Sequence, residues 1–184
     1  MGGRLIAPAV AGTLEKKGIP LEARVQPRIE GLLILALGSS IFFMVFPAAN
    51  PLTGTLLICA SGLIALRTLR WKLWLCPERP DLLVLALGYI WLAVGAFATG
   101  LALLRGQPLA PALHLITIGA LGTLSSSVML RLAWQRSHRK PPPAGEVLPI
   151  AALIAIAAIS RFITGPSPFS SPILLWLSAS TWAL

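Results

Sequence analysis

Histidine is scarce in this chain: His114 and His138 are the two copies among 184 residues. His114 opens an apolar stretch that runs to Arg131, with Gly119, Gly122 and Ser126 beneath it and Met129 near the far end. Neutral imidazole is the commonest side-chain metal ligand, and a thioether sulfur is a soft ligand that haem iron accepts. A guanidinium pairs with carboxylates such as a haem propionate through charge-assisted bonds. His114 and Met129 are therefore candidate cofactor ligands, His114 also a candidate metal ligand, and Arg131 a candidate propionate partner. Each residue also has a plainer use. His114 serves equally as a polar packing contact or an interfacial side chain, Met129 as core filler, and Arg131 as a topology anchor.

Spacing constrains these options. Arg131 follows His114 by about 25 Å along a helix at ~1.5 Å per residue, and His138 lies further on, so the two histidines cannot share one metal. Gly119, Gly122 and Ser126 recur at intervals of three and four, which places them on one face of a regular helix. Small faces let helices approach closely in lipid, and the alanine-rich run Ala151–Ala158 offers a matching surface. A planar macrocycle could use the same gap. The two cysteines, Cys59 and Cys76, form no CxxC pair and suggest no disulfide framework.

The elements that must hold these residues are set by composition. The chain is 56% hydrophobic and 11% charged, with a mean hydropathy of +0.82, which points to lipid as the solvent. About 20 apolar residues in a helix cross the hydrocarbon. Five runs predict spans: Gly31–Ala48, Leu52–Leu66 (short unless Thr68 and Leu69 extend it), Leu82–Leu104, Leu109–Leu130 and Val147–Ile163. A sixth, Pro172–Leu184, is short. The expected fold is an all-α polytopic transmembrane bundle, 31–184, preceded by a cytoplasmic or interfacial segment, 1–30. Thirteen of the fifteen basic residues fall in alternate loops, namely 1–30, 67–81 and 131–146. The positive-inside rule makes those loops and the N-terminus cytoplasmic. The net charge of +9 is thereby read as topology facing anionic lipid, with no need for nucleic acid. Trp71, Trp74 and Trp134 are expected at the cytoplasmic boundary. Residues 1–30 contain no sustained apolar core of a cleavable signal.

The pattern His-x-x-Thr-x-Gly-x-x-Gly, closed by Met-x-Arg, resembles the signature of the NnrS family of haem–copper membrane proteins. Here it reads His114, Thr117, Gly119, Gly122, Met129 and Arg131. Gly2-Gly3-Arg4, the Leu87-Gly88-Tyr89-Ile90-Trp91 stretch and the segment around Trp176 also look like pieces of that family. The resemblance covers nearly the whole chain and about the C-terminal half of a family member, whose full length holds about twelve membrane helices. It implies a polytopic protein of the bacterial inner membrane that carries haem b and copper, linked to denitrification and resistance to nitric oxide. It also implies His114 as a metal or haem ligand. The chain departs from the family after Arg131: Arg136 stands where a second histidine belongs, His138 follows two residues late, and Arg139 fits the terminal arginine.

Two functions follow as expectations. One is a haem-binding membrane protein acting in nitric oxide tolerance. The other is a cofactor-free accessory subunit packed against a larger respiratory or photosynthetic membrane complex, with other membrane subunits as partners. Transport coupled through carboxylates is disfavoured, because Glu30, Asp81 and Glu146 sit at segment edges. Hydrolytic catalysis has no acid–base pair to work with, so an enzyme is not expected.

Overall fold

The computed structural model describes residues 2–15, 18, 26–139, 141–165 and 172–183. The cations Lys16, Lys17, Arg24 and Lys140, counted in the topology above, lie outside the described residues. Among the described residues the chain forms helices and no strand. They are α1 (Gly2–Glu15), α2 (Pro27–Phe43), α3 (Asn50–Arg70), α4 (Pro80–Leu104), α5 (Ala110–His138), α6 (Ala144–Thr164) and α7 (Pro172–Ala183). Four helical stretches are long and apolar enough to cross a membrane: Pro47–Leu75, Pro80–Leu104, Ala110–His138 and Ala144–Thr164.

Proline and glycine set most of the boundaries. Prolines occupy the first turns of α2, α3, α4 and α5, where the missing N–H would be unpaired in any case. α2 stops short of the Ala48 boundary expected from hydropathy. Phe46, forced into extended backbone by the proline after it, breaks the run, and Pro47 starts a separate 3₁₀ turn. This leaves α2 with 17 residues, slightly under the ~20 that cross the hydrocarbon squarely. α5 instead continues well past Leu130. It ends where Arg139 turns left-handed (φ 54°) before the prolines at 141–143, which cannot continue a helix. Gly165, at φ +73°, closes α6 in a conformation that a side chain would resist.

α4 is the centre of the bundle and touches α1, α3, α5 and α6. Its glycines are the reason it can. A Cβ on Gly54 of α3 would lie 2.8 Å from the Gly100 carbonyl oxygen, and one on Gly100 would lie 2.6 Å from the Gly54 carbonyl oxygen. Gly95 likewise meets the backbone of α5 at Ile116 N, 3.1 Å from where its Cβ would stand. Backbone approach of this kind is how helices gain contact in lipid, where no hydrophobic force drives them together.

Residues 1–30 do more than precede the bundle. α1 carries Ala7, Val10 and Leu14 on one stripe, all fully buried. They share a core with Trp71, Leu73, Cys76, Leu82 and Leu85 at the entry to α4. Trp71, at the end of α3, packs inward: it is 1% exposed, meets Tyr89 edge-on at 5.3 Å and lies beneath the Arg67 guanidinium. Trp74 is exposed, and Trp134 stacks on His138 at 4.3 Å.

Candidate cofactor site

His114 closes the first α-helical turn of α5, and Leu115–Gly122 then forms a π-helix before α-geometry resumes at Thr123. Single π turns inside α-helices often mark functional sites, and their i→i+5 bonds widen the turn. With more than four residues per turn, every fourth residue stays close to one line. Two lines result. Leu115, Gly119 and Thr123 are buried, and Gly119 faces α4, where its Cβ would meet the Trp91 ring at 3.0–3.3 Å. His114, Ile118 and Gly122 face α6 and α7, where a Gly122 Cβ would meet Trp182 at 2.9 Å and Ile154 at 3.3 Å.

Gly119 and Gly122 therefore do not share one packing face, as a regular helix would have made them do. The π-segment turns them toward different neighbours. Ser126 is half-buried one turn below. Ile154, within the alanine-rich run of α6, is a neighbour of Gly122.

Beside the His114 line lies an open cleft of about 570 Å³, lined by Ile118, Arg161, Leu175, Trp176 and Trp182 among others. α7 is tied to α6 at its base by Ser178 Oγ, which donates to the Ala157 carbonyl at 3.3 Å. Arg161 is half-buried on α6 and lines this cleft. It has no acidic partner among the described residues. A half-buried guanidinium without such a partner is costly.

The other residues singled out by sequence are elsewhere. Met129 is 70% exposed on the outer surface of α5. Arg131 turns inward at the opposite end of the bundle, its Nη1 3.7 Å from Asp81 Oδ2. Asp81, at 3% exposure, is not merely a segment-edge charge. It also accepts hydrogen bonds from Arg79, Nε to Oδ1 at 3.0 Å and Nη2 to Oδ2 at 2.9 Å. This pairing holds the Arg79 guanidinium above its ordinary pKa. His138 is exposed at that same end, its Nδ1 2.6 Å from Ser137 Oγ. Thus His114 is brought together with neither Met129, Arg131 nor His138. The charged side chain in the cleft lining is Arg161, which the sequence had offered only as a topological charge. The available signal was a single cation near the end of an apolar run with no acid nearby in sequence.

A haem-type group fits these surroundings in part. One cation and two indoles border a largely apolar cleft, and His114 stands one turn from its Ile118 wall without lining it. A copper ion fits less well: no group of three or more His, Cys, Asp or Glu side chains gathers among the described residues, and soft or borderline metals need such sets.

Long apolar helices packed through backbone-to-backbone glycine contacts, with a histidine beside a lateral cleft, define a polytopic helical membrane protein. Residues 1–184 match the family model of the NnrS protein along their full length, and the chain belongs to the NnrS family. No curated protein and no solved structure matches it.

Proposed function

We propose that this protein is a haem-binding member of its family in the bacterial inner membrane, acting in tolerance to nitric oxide, with His114 as the residue that would hold the iron. The observation that carries this reading is the position of His114: half-buried and on the helix line of Ile118, which borders a cleft with Trp176 and Trp182. Haem iron held by one imidazole keeps an open coordination position, which is the chemistry that binding of a diatomic gas requires. The chain's own contribution is to hold the imidazole at a fixed rotation through the π-segment and to border the cleft with apolar side chains. Copper, on this reading, takes its remaining donors from outside these residues.

The proposed orientation has the N-terminus, and the end bearing Glu30, Arg67, Arg79, Asp81 and Arg131, at the cytoplasm. The excess of cations flanking that end supports it. α2 is proposed as a fifth, tilted or thinned crossing. Its face carrying Ile34, Leu35, Ile41 and Phe42 is exposed, as lipid contact demands.

A cofactor-free accessory subunit is the second reading. It is favoured by Arg131 already being engaged by Asp81 and by His114 standing without a second strong ligand among the described residues.

Absorption spectra of the purified protein, oxidised and reduced, beside those of His114→Ala, decide between them. A Soret band that weakens or shifts in the variant supports haem ligation by His114. A featureless visible spectrum in both proteins removes the haem reading and leaves the subunit reading.

A further inference from the structure

Arg67, Arg131 and Arg161 are partly buried within the membrane-spanning helices, and they differ in one respect. Arg67 pairs with Glu30, and Arg131 has Asp81 at 3.7 Å. Arg161 has no acidic partner among the described residues, and it lines the cleft bordered by Ile118 of α5 and by Leu175, Trp176 and Trp182 of α7. Acidic side chains are absent from the described lining, and the hydroxyl there, on Ser178, already donates to the Ala157 carbonyl. A half-buried guanidinium in such apolar surroundings is stabilised strongly by an anion.

The cleft has a shallow end and a deep end. Ser178 lies against Ala157, and Trp182 and Ile154 both flank Gly122, so α7 runs back along α6. Arg161 stands near Thr164, the last residue of α6, about 5 Å from that end at ~1.5 Å per residue. Ile154, and Trp182 with it, lies about 10 Å deeper by the same rise. One end of the cleft thus holds a positive charge close to the membrane boundary, and the other presents indole and aliphatic surface toward the hydrocarbon. Trp176 and Trp182 are 76% and 55% exposed, so the cleft opens sideways to lipid. Its volume of about 570 Å³ falls within the ~300–1,000 Å³ of small-molecule sites.

We propose that this cleft binds one anionic phospholipid, with its phosphate on Arg161 and an acyl chain laid along Ile118, Leu175, Trp176 and Trp182. Charge complementarity commits the site to that occupant. The planar fork of a guanidinium matches two phosphate oxygens, and basic pockets between membrane helices hold anionic headgroups. A zwitterionic lipid brings its own cation to the same guanidinium and is disfavoured. The polar end of the cleft and its apolar floor are ordered along the membrane normal as headgroup and chain are in a lipid. The site lies in the leaflet at the Thr164 end of α6, away from Asp81. It uses neither His114 nor iron, so it stands or falls apart from the haem reading.

The test uses the full chain in nanodiscs of neutral phosphatidylcholine. Phosphatidylglycerol with brominated acyl chains, or phosphatidylcholine with the same chains, is mixed in at rising mole fraction. Bromine quenches an indole on contact, and the part of the quenching that Trp176→Phe removes reports on the cleft. The wild type should reach half-quenching at about tenfold less phosphatidylglycerol than phosphatidylcholine, the scale of one hydrogen bond to a charged group. Arg161→Gln should bring the two lipids within about twofold of each other, with the phosphatidylcholine curve unchanged. Arg105→Gln, which removes an exposed cation at the same end of the bundle, should leave the preference intact. Should Arg161→Gln disturb both curves by misfolding, Arg161→Lys decides: a retained preference supports the site, and none overturns it. Equal quenching by the two lipids in the wild type also overturns the proposal. So does a preference that Arg105→Gln lowers as much as Arg161→Gln, because diffuse surface charge would then suffice. Cleft indoles that neither lipid quenches would mean that another polypeptide covers the site, which overturns it as well.

Discussion

Arg131 of α5 reaches Asp81 at the start of α4, Nη1 to Oδ2 at 3.7 Å, and shares that carboxylate with Arg79. The contact fastens the far end of α5 to the helix at the centre of the bundle. It also makes two cations depend on one buried acid.

Asp81→Asn should therefore cost more than Arg131→Gln. Breaking a buried pair from the acid side strands both guanidiniums, and we predict a loss of about 2–4 kcal/mol, below the upper end for fully buried pairs because both arginines remain partly exposed. Arg131→Gln leaves the bidentate Arg79 contact in place and should cost about 1 kcal/mol, as for a partly exposed pair. Thermal unfolding in one detergent ranks the two, and equal losses would mean that Arg79 does not hold Asp81 by itself.

The same pair makes a statement about pH. Arg79 has a folded-state pKa raised above its ordinary value by the Asp81 hydrogen bond. A group raised on folding contributes stability that is complete below its unfolded pKa and is lost only as pH rises through the folded one. Both values lie far into the alkaline range, so this contribution should stay constant from neutrality to about pH 10. Comparing wild type with Arg79→Gln across that window should give a constant difference in unfolding temperature. A difference that shrinks toward the alkaline end of that window would contradict the assignment.

Close contact between α3 and α4 at Gly54 and Gly100 should be intolerant of a single methyl group. Either Gly→Ala change places a Cβ within 2.8 Å of a carbonyl oxygen, and we predict destabilisation of about 1–3 kcal/mol, the range for overpacking. Gly62, on the same α3 helix, has open space where its Cβ would stand. Gly62→Ala should be neutral or stabilising by up to about 1 kcal/mol, as expected inside a helix. If all three variants unfold together, the backbone contact is not limiting.

Thr123 ends the π-segment with its hydroxyl fully buried and no hydrogen-bond partner among the described residues. Exchanging that hydroxyl for a methyl group of similar size, in Thr123→Val, should be neutral or stabilising by about 1 kcal/mol, because an unsatisfied polar atom is removed. A clear drop in unfolding temperature would show that the hydroxyl meets a bound water.

Docking of α1 rests on Ala7, Val10 and Leu14, of which Leu14 is the largest and is fully buried. Leu14→Ala should cost about 2–4 kcal/mol by leaving a cavity. It should also expose the N-terminal segment to protease sooner than the bundle. Unchanged cleavage kinetics would mean that α1 is held by other contacts.

Hydropathy and charge by themselves determined that this is an all-helical membrane protein and where α3, α4 and α6 run within a few residues, with the start but not the end of α5. Both are properties of a single window of chain: about 20 apolar residues satisfy their own backbone in lipid, and loops declare their cations locally. Proline and glycine made most ends readable, though the break after Phe43 needed the turn geometry around Pro47. The spacing of His114, Thr117, Gly119 and Gly122 carried the family as well. What the tertiary structure decided is rotation and partnership. A helix that is apolar all round has no amphipathic stripe to declare which side faces which neighbour. The π-turn at Leu115–Gly122 then redirects residues by an angle that regular periodicity cannot anticipate. Hence Gly119 met Trp91 while Gly122 met Trp182, Arg131 found Asp81 fifty positions away in sequence, and Ile118 came to share a cleft with Arg161. These pairings are long-range, and they exist only once the helices have packed.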